Sequence, residues 1–430
     1  MERKPKIFRI FSNDHHLDND LSKYDVVFPK VEKFLKKLWL AYISYPIDDF
    51  TDQEFEELDQ EIIKTVEENP DIQGVYMGYD IEAFLISAVF KNLRMPSIKL
   101  PSLESFYQVH HKVYQKMLEV SPTKYSYFDL FSDDWDQNLP KFPFYMKSAL
   151  GDGGLHNYII RDKNQLEGVI GVLRKELPKQ ESIYLYFAKK YLDLQKFPFA
   201  DKHIMLCEEL VENFTNLNMD AFVDDVGNIT ILLFSDQLIK NEIVLGYRFP
   251  SQIPEDITQR AKQMGLELIE KSGLRNASFN IEYFILENGD IKIMEVNSRS
   301  SLYFNFNYHI YGIRYLDIAV QLSMGEKINL PSLEFPLKFS TQLHILTKKS
   351  GKIKDLLDME KCLEIANSKK NYVINFEDKE MNGEDIIEDN YHKNGQLLLQ
   401  IFFASSTLEE CEKEILQLQS SLLLKDNYFK

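Results

Sequence analysis

The sequence contains little cysteine and lacks a long apolar run. Its three cysteines, Cys207, Cys362 and Cys411, form neither a CxxC pair nor a cluster with histidine. This spacing supports neither a disulfide framework nor a zinc site, so we expect packing residues. No stretch of about 18 apolar residues occurs, and the N-terminal segment has no apolar run that ends in a small-residue cleavage site. The sequence therefore predicts a cytoplasmic protein without a transmembrane helix.

Basic residues are too few to balance the acidic ones. The chain has 50 lysine and arginine residues against 67 aspartate and glutamate residues, a formal net charge of −17. This charge disfavours non-specific binding to nucleic acid or to anionic membranes. We therefore expect neither nucleic acid nor a membrane as a partner, and a homodimer is the commonest assembly for a soluble enzyme of this size.

The pattern along the chain predicts α/β and α+β architecture in several domains. Strand-like runs (KIFRIF, DVVF, LWLAYISY, QGVYMGY) alternate with helical patterns in the first hundred residues, which is typical of an open α/β sheet. The segment MPSIKLPSLES then indicates a boundary and a helix that starts at Ser102 or Ser105. We predict an N-terminal α/β domain at 1–101, a central domain at 102–330 with a lid at about 122–206, and an α+β segment at 331–430.

The run FNIEYFILENGDIKIMEVNSRSS, residues 279–301, predicts a β-hairpin that contains two glutamates. Asn288-Gly289 favours a two-residue type I′ turn. That turn sets three facing pairs: Glu287 with Asp290, Phe284 with Ile293, and Glu282 with Glu295. Strand alternation then puts one set of side chains on a common face: Glu282, Ile291, Ile293, Glu295 and Asn297.

Two carboxylates that face each other across a hairpin need an offsetting interaction. Their repulsion costs roughly 0.2–1 kcal/mol when exposed and more where water is excluded. A shared proton between Glu282 and Glu295 is one solution. A hard divalent cation such as Mg²⁺ is another, because it accepts oxygen ligands from two glutamates and Asn297. A solvated pair at an exposed hairpin end is the structural alternative.

A glycine-rich turn is the candidate phosphate site. In FYMKSALGDGGLHNYII, Lys147 ends a strand, and Gly151, Gly153 and Gly154 lie in the turn to the next strand. Such a turn can direct backbone N–H groups and a lysine charge at an anion. The loop joins strand to strand, so it is neither a Walker A loop nor a dinucleotide fingerprint, both of which open a helix. A flexible turn is the alternative.

Other charged residues carry weaker signals. Lys112 lies on a predicted helix, where a solvated surface lysine is the ordinary case. Arg299, two residues after Asn297, is placed to stabilise charge in phosphoryl transfer, or to form a surface salt bridge. The remaining candidates are Arg248, Arg275 and Arg314 for a substrate carboxylate, and His110, His111 and His203 for a metal, whose spacing does not support a site.

Taken in order, these features resemble the ATP-grasp superfamily of carboxylate–amine ligases, which includes L-amino acid ligases, carbamoyl-phosphate synthase large chains and biotin carboxylases. The resemblance covers most of the chain: a leading α/β domain, a lid with a glycine-rich strand–loop–strand, and a Glu…Glu-x-Asn-x-Arg element. It implies the ATP-grasp fold with a C-terminal α+β domain. It also implies ATP and Mg²⁺ as cofactors, with Mn²⁺ as an alternative metal.

The resemblance assigns roles to individual positions. It implies nucleotide-binding roles for Lys112, Lys147 and the loop glycines Gly151, Gly153 and Gly154. In CEELVE it implies adenine contacts for Glu208 and Val211. It implies that Glu282, Glu295 and Asn297 bind Mg²⁺, and that Arg299 faces the transferred phosphoryl group. The chain departs from the family pattern at Ser298, at Ser300-Ser301 and at His111, and the first two departures put the acceptor substrate in doubt.

The resemblance implies a reaction in which a carboxylate attacks the γ-phosphate of ATP, giving an acylphosphate and ADP, and an amine then displaces phosphate. The aromatic and polar run LYFNFNYHIYGIRY favours amino-acid or small-peptide substrates. A bicarbonate-using carboxylase and a catalytically silent nucleotide-binding module stay open as alternatives. The sequence names neither substrate, nor the class of acceptor, nor the oligomeric state.

Overall fold

The computed structural model describes most of the chain: residues 4–11, 21–31, 34, 50–93, 95, 97–133, 135, 138–151, 156–240, 243–299, 312, 314–330, 338–347, 351–368, 372–376, 386–387 and 396–422. Three features predicted above lie outside these residues: the strand LWLAYISY at 38–45, the glycines Gly153 and Gly154, and most of the run LYFNFNYHIYGIRY.

The N-terminal part forms a parallel sheet covered by helices, as its sequence pattern predicts. Strands β1 (Lys6–Phe8), β2 (Asp25–Val27) and β3 (Gly74–Val75) pair in the order β2-β1-β3. Helices α1 (Asp52–Glu68) and α2 (Asp80–Phe90) follow β2 and β3. Thr51 starts α1 with a capping box, in which its hydroxyl accepts from the Glu54 N–H and the Glu54 carboxylate accepts from the Thr51 N–H.

Two short helices connect this part to the next. Ser102 accepts a hydrogen bond from the Ser105 N–H and caps α3 (Leu103–His110), so the predicted helix start is confirmed. Helix α4 (Lys112–Leu118) begins after His111, whose extended backbone separates the two helices. The break puts Lys112 at the first position of a new helix.

The region predicted to be the lid contains a four-stranded antiparallel sheet and a long helix. Strands β4 (Tyr125–Asp129), β5 (Phe144–Ser148), β6 (Tyr158–Ile160) and β7 (Ile204–Glu209) pair in the order β4-β7-β5-β6. Helix α5 (Lys163–Tyr191) continues through Pro178. Its first half packs on the lid sheet through Leu166 and Leu173, while its second half packs on the N-terminal core through Tyr184 and Phe187.

The largest sheet of the described residues is antiparallel and has eight strands. They are β8 (Phe214–Val223), β9 (Ile229–Lys240), β10 (Ile243–Phe249), β11 (Ala277–Leu286), β12 (Ile291–Asn297), β13 (Phe339–Thr347), β15 (Tyr372–Phe376) and β17 (Gln396–Ser405). They pair in the order β12-β11-β8-β9-β10-β13-β17-β15. Helix α6 (Glu255–Ser272) packs on one face of the sheet, and Gly273 ends it in the left-handed region at φ 67°. Helix α7 (Tyr315–Ser323) packs on the other face, against Phe222 and Leu233.

The C-terminal segment extends this sheet and adds a small ribbon. Strands β14 (Gly351–Lys352) and β16 (Ile386–Ile387) form the ribbon, and helices α8 (Ile353–Leu356), α9 (Met359–Ser368) and α10 (Leu408–Ser421) cover β13 and β17. The three cysteines are free and buried, as expected of packing residues. Over the described ranges, each helix is too short or too polar to cross a bilayer.

Candidate functional site

The β11–β12 hairpin brings Glu282 and Glu295 face to face, as predicted, but with a different turn. The Leu286 N–H donates to the Asp290 carbonyl at 2.9 Å, and Gly289 has φ 81°. The loop therefore has three residues, and the predicted pair of Glu287 with Asp290 is wrong, because glycine in the left-handed region closes the loop as a bulge. Beyond the loop Tyr283, not Phe284, faces Ile293.

A β-bulge at Met294 restores the predicted register before the two glutamates. Two residues of β12 oppose one position of β11 there, so Glu282 pairs with Glu295 and Asn280 pairs with Asn297. The bulge also reverses the alternation of side chains along β12. Ile291 and Ile293 lie in the core beneath α6, so the prediction that they share a face with the acidic pair is wrong.

The environment of Glu282 is unusual for a carboxylate. Burial and the neighbouring Glu295 raise the pKa of Glu282 to about 8, although the Arg299 charge acts in the opposite direction. The Gln237 amide donates to Glu282 Oε2 at 3.2 Å, and the Asn297 amide lies 3.5 Å from Glu282 Oε1. The alternative of a solvated pair at an exposed hairpin end is therefore wrong, because Glu282 is only partly accessible to solvent and Glu295 is 32% exposed.

Lys112 is buried rather than solvated. Its Nζ donates to the Gly151 carbonyl at 2.6 Å and lies 4.0 Å from Glu295 Oε2. The Gly151 N–H donates to the Ser148 hydroxyl at 3.0 Å. Lys112 therefore joins the start of the glycine-rich turn to the acidic pair.

Lys147 lies on the same side of the hairpin. Its Nζ forms an ion pair with Glu208 Oε2 at 2.8 Å and lies 3.4 Å from the carbonyl of Met294, the bulged residue. Burial alone would lower the pKa of Lys147, but the Glu208 and Glu295 carboxylates raise it. The lysine thus stays charged beside the acidic pair.

Glu208 connects the lid sheet to this group of lysines. Its carboxylate accepts from Lys147, from Lys116 at 3.0 Å and from the Thr123 hydroxyl at 2.5 Å. Burial opposes ionisation, yet the two lysines and these hydrogen bonds lower the pKa of Glu208 to about 2. Val211 lies two residues beyond the end of β7 and is half-buried. Adenine contacts of Glu208 and Val211 remain predictions.

Arg299 joins this site to the N-terminal domain. Its Nε forms an ion pair with Asp80 Oδ2 at 2.7 Å, and Asp80 is the first residue of α2. The other arginines named from the sequence have partners elsewhere: Arg248 pairs with Asp236 and Glu412, Arg275 donates to the Leu274 carbonyl, and Arg314 pairs with Asp317. The Arg299 charge lowers the pKa of Glu282, against the effect of burial and of Glu295.

Sequence reasoning missed several residues that contact the site. Gln115 and Lys116 lie on α4, Glu119 is the residue that ends this helix, and Asp80 lies on α2. A signal existed for Lys116, because residues four apart share a helix face and Lys116 follows Lys112 by four. Gln115 and Asp80 act through tertiary contacts that no local pattern indicates.

The donor set suits a hard cation rather than a soft one. Within the described part of the chain, no three His, Cys, Asp or Glu side chains form a metal-binding group. Glu282, Glu295 and Asn297 supply carboxylate and amide oxygens, which are ligands that Mg²⁺ and Mn²⁺ accept alongside phosphate and water. His110 and His111 instead stack on aromatic rings, and His203 pairs with Glu181.

Comparisons with known proteins agree on the fold. Residues 137–331 match the family model of the carbamoyl-phosphate synthase L chain, ATP binding domain. The multifunctional protein pyr-3 of Neurospora crassa is 28% identical over 140 residues, which are 32% of this chain and 7% of that protein. The aligned segment thus represents a small fraction of this relative.

Two solved structures resemble nearly the whole chain. The L-amino acid ligase from Bacillus licheniformis superimposes with a TM-score of 0.73 at 14% identity, over 99% of this chain and 100% of that one. The biotin carboxylase from Campylobacter jejuni superimposes with a TM-score of 0.62 at 15% identity, over 98% and 86% of the two chains. At these identities the likeness establishes the architecture, and the chemistry must be argued from the site.

Proposed function

We propose that this chain, whose architecture is that of the two solved structures above, is an ATP-dependent ligase of the ATP-grasp type that activates a carboxylate as an acylphosphate, releases ADP and joins the acyl group to an amine. One observation carries the proposal. The acidic pair Glu282 and Glu295 shares a sheet face with Asn297 and lies beside the buried ammonium groups of Lys112 and Lys147. Acidic groups that can hold a metal, next to ammonium groups that can bind phosphate oxygens, suit a metal–triphosphate complex.

The residues present fit Mg²⁺. Glu282 and Glu295 crowd two carboxylates into a partly buried space, and a divalent cation would relieve their repulsion. In this proposal Glu282, Glu295 and Asn297 hold the metal, with Mn²⁺ as an alternative. When bound, Mg²⁺ neutralises phosphate charge and orients the phosphate groups for in-line transfer.

The side chains of the protein contribute position and charge. Lys112 and Lys147 attract the triphosphate beside Gly151, while the predicted phosphate contacts of Gly153 and Gly154 lie outside the described residues. Glu208 fixes Lys147 through its ion pair, while its backbone and that of Val211 border the adenine. Arg299 balances charge on the transferred phosphoryl group, and Asp80 holds its guanidinium.

Amino acids or small peptides are the proposed substrates. The architectural likeness to an L-amino acid ligase over the full length of both chains supports this choice. Bicarbonate is the second candidate acid, since a biotin carboxylase shares the fold. A nucleotide-binding module without turnover is the remaining alternative, and it would not need the complete set of acidic, amide and basic groups.

ADP release tests the proposal directly. Purified protein is incubated with Mg²⁺, ATP and pools of amino acids and carboxylic acids, with bicarbonate as a separate arm. We expect pool-dependent ADP release that falls roughly 10²–10³-fold in Glu295→Gln, because the variant lacks a ligand of the proposed Mg²⁺, whose charge would stabilise the transferred phosphoryl group. Glu287→Gln is the matched control, since Glu287 is exposed at the turn of the same hairpin.

The outcomes separate the candidates. ADP release with bicarbonate alone would favour the carboxylase, and nucleotide binding without ADP release in any pool would favour the silent module. Equal loss of activity in Glu287→Gln and Glu295→Gln would mean that the acidic pair has no special role.

A further inference from the structure

Helix α4 contacts the backbone of β12 at the bulge that positions Glu295. Among the described residues, strand β12 is at the edge of the eight-stranded sheet, and no strand of that part of the chain pairs with its outward side. Gln115 Oε1 accepts from the Val296 N–H at 3.1 Å, and Lys116 Nζ donates to the Ile293 carbonyl at 2.9 Å. These two side chains therefore flank the bulged segment and replace strand hydrogen bonds on either side of Glu295.

Lys116 also belongs to a buried group of four charges. Its Nζ lies 3.0 Å from Glu208 Oε1 and 3.1 Å from Glu119 Oε1, and Lys116 is 1% exposed. Lys147 pairs with the other oxygen of Glu208. Two lysines and two glutamates thus compensate one another in a region that excludes water, where an uncompensated charge would be costly.

We propose that Lys116 is a positioning residue for the metal–nucleotide site: by holding both the β12 bulge and Glu208, it sets where Glu295 and Lys147 lie. This inference rests on the proposed function. The three N–H donors of the ammonium group match three separate acceptors, namely the Glu119 and Glu208 carboxylates and the Ile293 carbonyl. A planar guanidinium presents its donors in a fixed fork and does not match these three directions.

The arrangement also explains how Lys147 can serve a phosphate. Lys147 is paired with Glu208 in this structure, and turning toward a triphosphate weakens that contact. Lys116 and the Thr123 hydroxyl remain bonded to Oε1 of Glu208. The charge of Glu208 therefore stays neutralised, and its side chain stays in place, when the Lys147 ammonium turns toward the triphosphate.

Metal binding, rather than turnover, is the sharpest test. Free Mn²⁺ is followed by electron paramagnetic resonance as it is titrated into protein that carries a non-hydrolysable ATP analogue. We expect Lys116→Met to weaken Mn²⁺ binding at least tenfold, on the order of the losses seen when a group that orients metal ligands is removed. Lys292→Met is the matched control. Lys292 lies on β12, the strand that carries Glu295, but it donates to the Ser121 carbonyl at 3.3 Å, away from the acidic pair.

A second variant separates positioning from charge balance. Lys116→Met leaves Glu119 and Glu208 with a single lysine and risks misfolding, whereas Lys116→Met with Glu119→Gln keeps one lysine against one glutamate. We expect the double variant to fold, by circular dichroism and thermal melting, yet to bind Mn²⁺ at least tenfold more weakly than the wild type. The Ile293 carbonyl still lacks its donor there.

Each other result overturns the inference. Wild-type Mn²⁺ affinity in the double variant would show that Lys116 only balances charge, and an unfolded double variant would assign it a purely structural role. Unchanged Mn²⁺ affinity in both Lys116 variants would refute the positioning role while leaving the proposed function intact. A wild-type protein that binds neither Mn²⁺ nor the analogue would refute both.

Discussion

At the scale of single residues, the pairing of Glu282 with Glu295 is the feature that most needs an explanation. Burial and like charge both disfavour ionisation of Glu282. A protein gains nothing in stability from such a pair, since two apolar residues would pack at lower cost. The arrangement is understandable if the glutamates bind a cation during function, because the cation removes the repulsion.

The raised pKa of Glu282 gives a pH dependence whose sign is fixed. Burial and the neighbouring Glu295 raise the pKa of Glu282 to about 8 in the folded protein, against about 4.3 in the unfolded chain. Between these values the folded state binds more protons, so this group makes the wild type less stable as pH rises. Glu282→Gln removes the effect, and we therefore expect its melting temperature relative to the wild type to rise between pH 5 and pH 8 in EDTA.

Thermal melting at several pH values checks this expectation. Glu287→Gln serves as the control, because Glu287 is exposed and its substitution should give the same difference from the wild type throughout. A constant difference between Glu282→Gln and the wild type would show that Glu282 titrates normally.

At the scale of elements, close packing of α6 on the sheet determines which helical glycines are replaceable. A Cβ on Gly265 would lie 2.3 Å from the Tyr283 hydroxyl, whereas a Cβ on Gly168 in α5 would meet nothing within 4 Å. We expect Gly265→Ala to destabilise the protein by about 1–3 kcal/mol through overpacking. Gly168→Ala should stabilise it by about 0.5–1 kcal/mol, because alanine favours an exposed helix interior.

Denaturant unfolding of the two variants measures both changes. Because the substitution is the same and both sites are helical, helix propensity cancels in the comparison. Stabilisation by Gly265→Ala would contradict the close approach of α6 to β11 and β8.

The elements also show what the sequence could and could not predict. Asn288-Gly289 identifies the position of the turn, and the predicted pairing of Glu282 with Glu295 holds because two shifts from the predicted register cancel. The details of that register were not predictable, since the three-residue loop and the Met294 bulge shift it by one residue in opposite directions. A bulge stabilised by side chains of a separate helix leaves no trace in the local pattern.

Helix α5 is a second case in which tertiary packing overrides local signals. Asp162 caps the start of this helix, and a proline such as Pro178 ordinarily ends or kinks a helix. The helix continues because its two halves are each fixed by a different hydrophobic core. Neither core is recognisable from the residues around Pro178 alone.

At the scale of the whole molecule, α5 joins the lid to the N-terminal domain through polar contacts on α1. The buried Asp59 accepts from the Tyr191 hydroxyl at 2.7 Å and pairs with Lys190 at 2.7 Å. Asp59→Asn removes the charge and should cost about 1–3 kcal/mol, the range for a lost charged hydrogen bond. Lys190 is 31% exposed, so solvent screening places the cost toward the lower end.

Denaturant unfolding with Glu67→Gln as control measures this cost, because Glu67 is exposed on the same helix. A cost no larger than that of Glu67→Gln would mean that apolar packing alone joins α5 to α1.

The central claim is that the metal and nucleotide bind where Glu282, Glu295 and Asn297 meet. The most direct test is a crystal structure with Mn²⁺ and a non-hydrolysable ATP analogue, in which anomalous scattering locates the metal. We expect a metal peak bonded to oxygens of these three residues, with the triphosphate between it and the ammonium groups of Lys112 and Lys147. Bound nucleotide with manganese elsewhere, or with none beside the acidic pair, would contradict it.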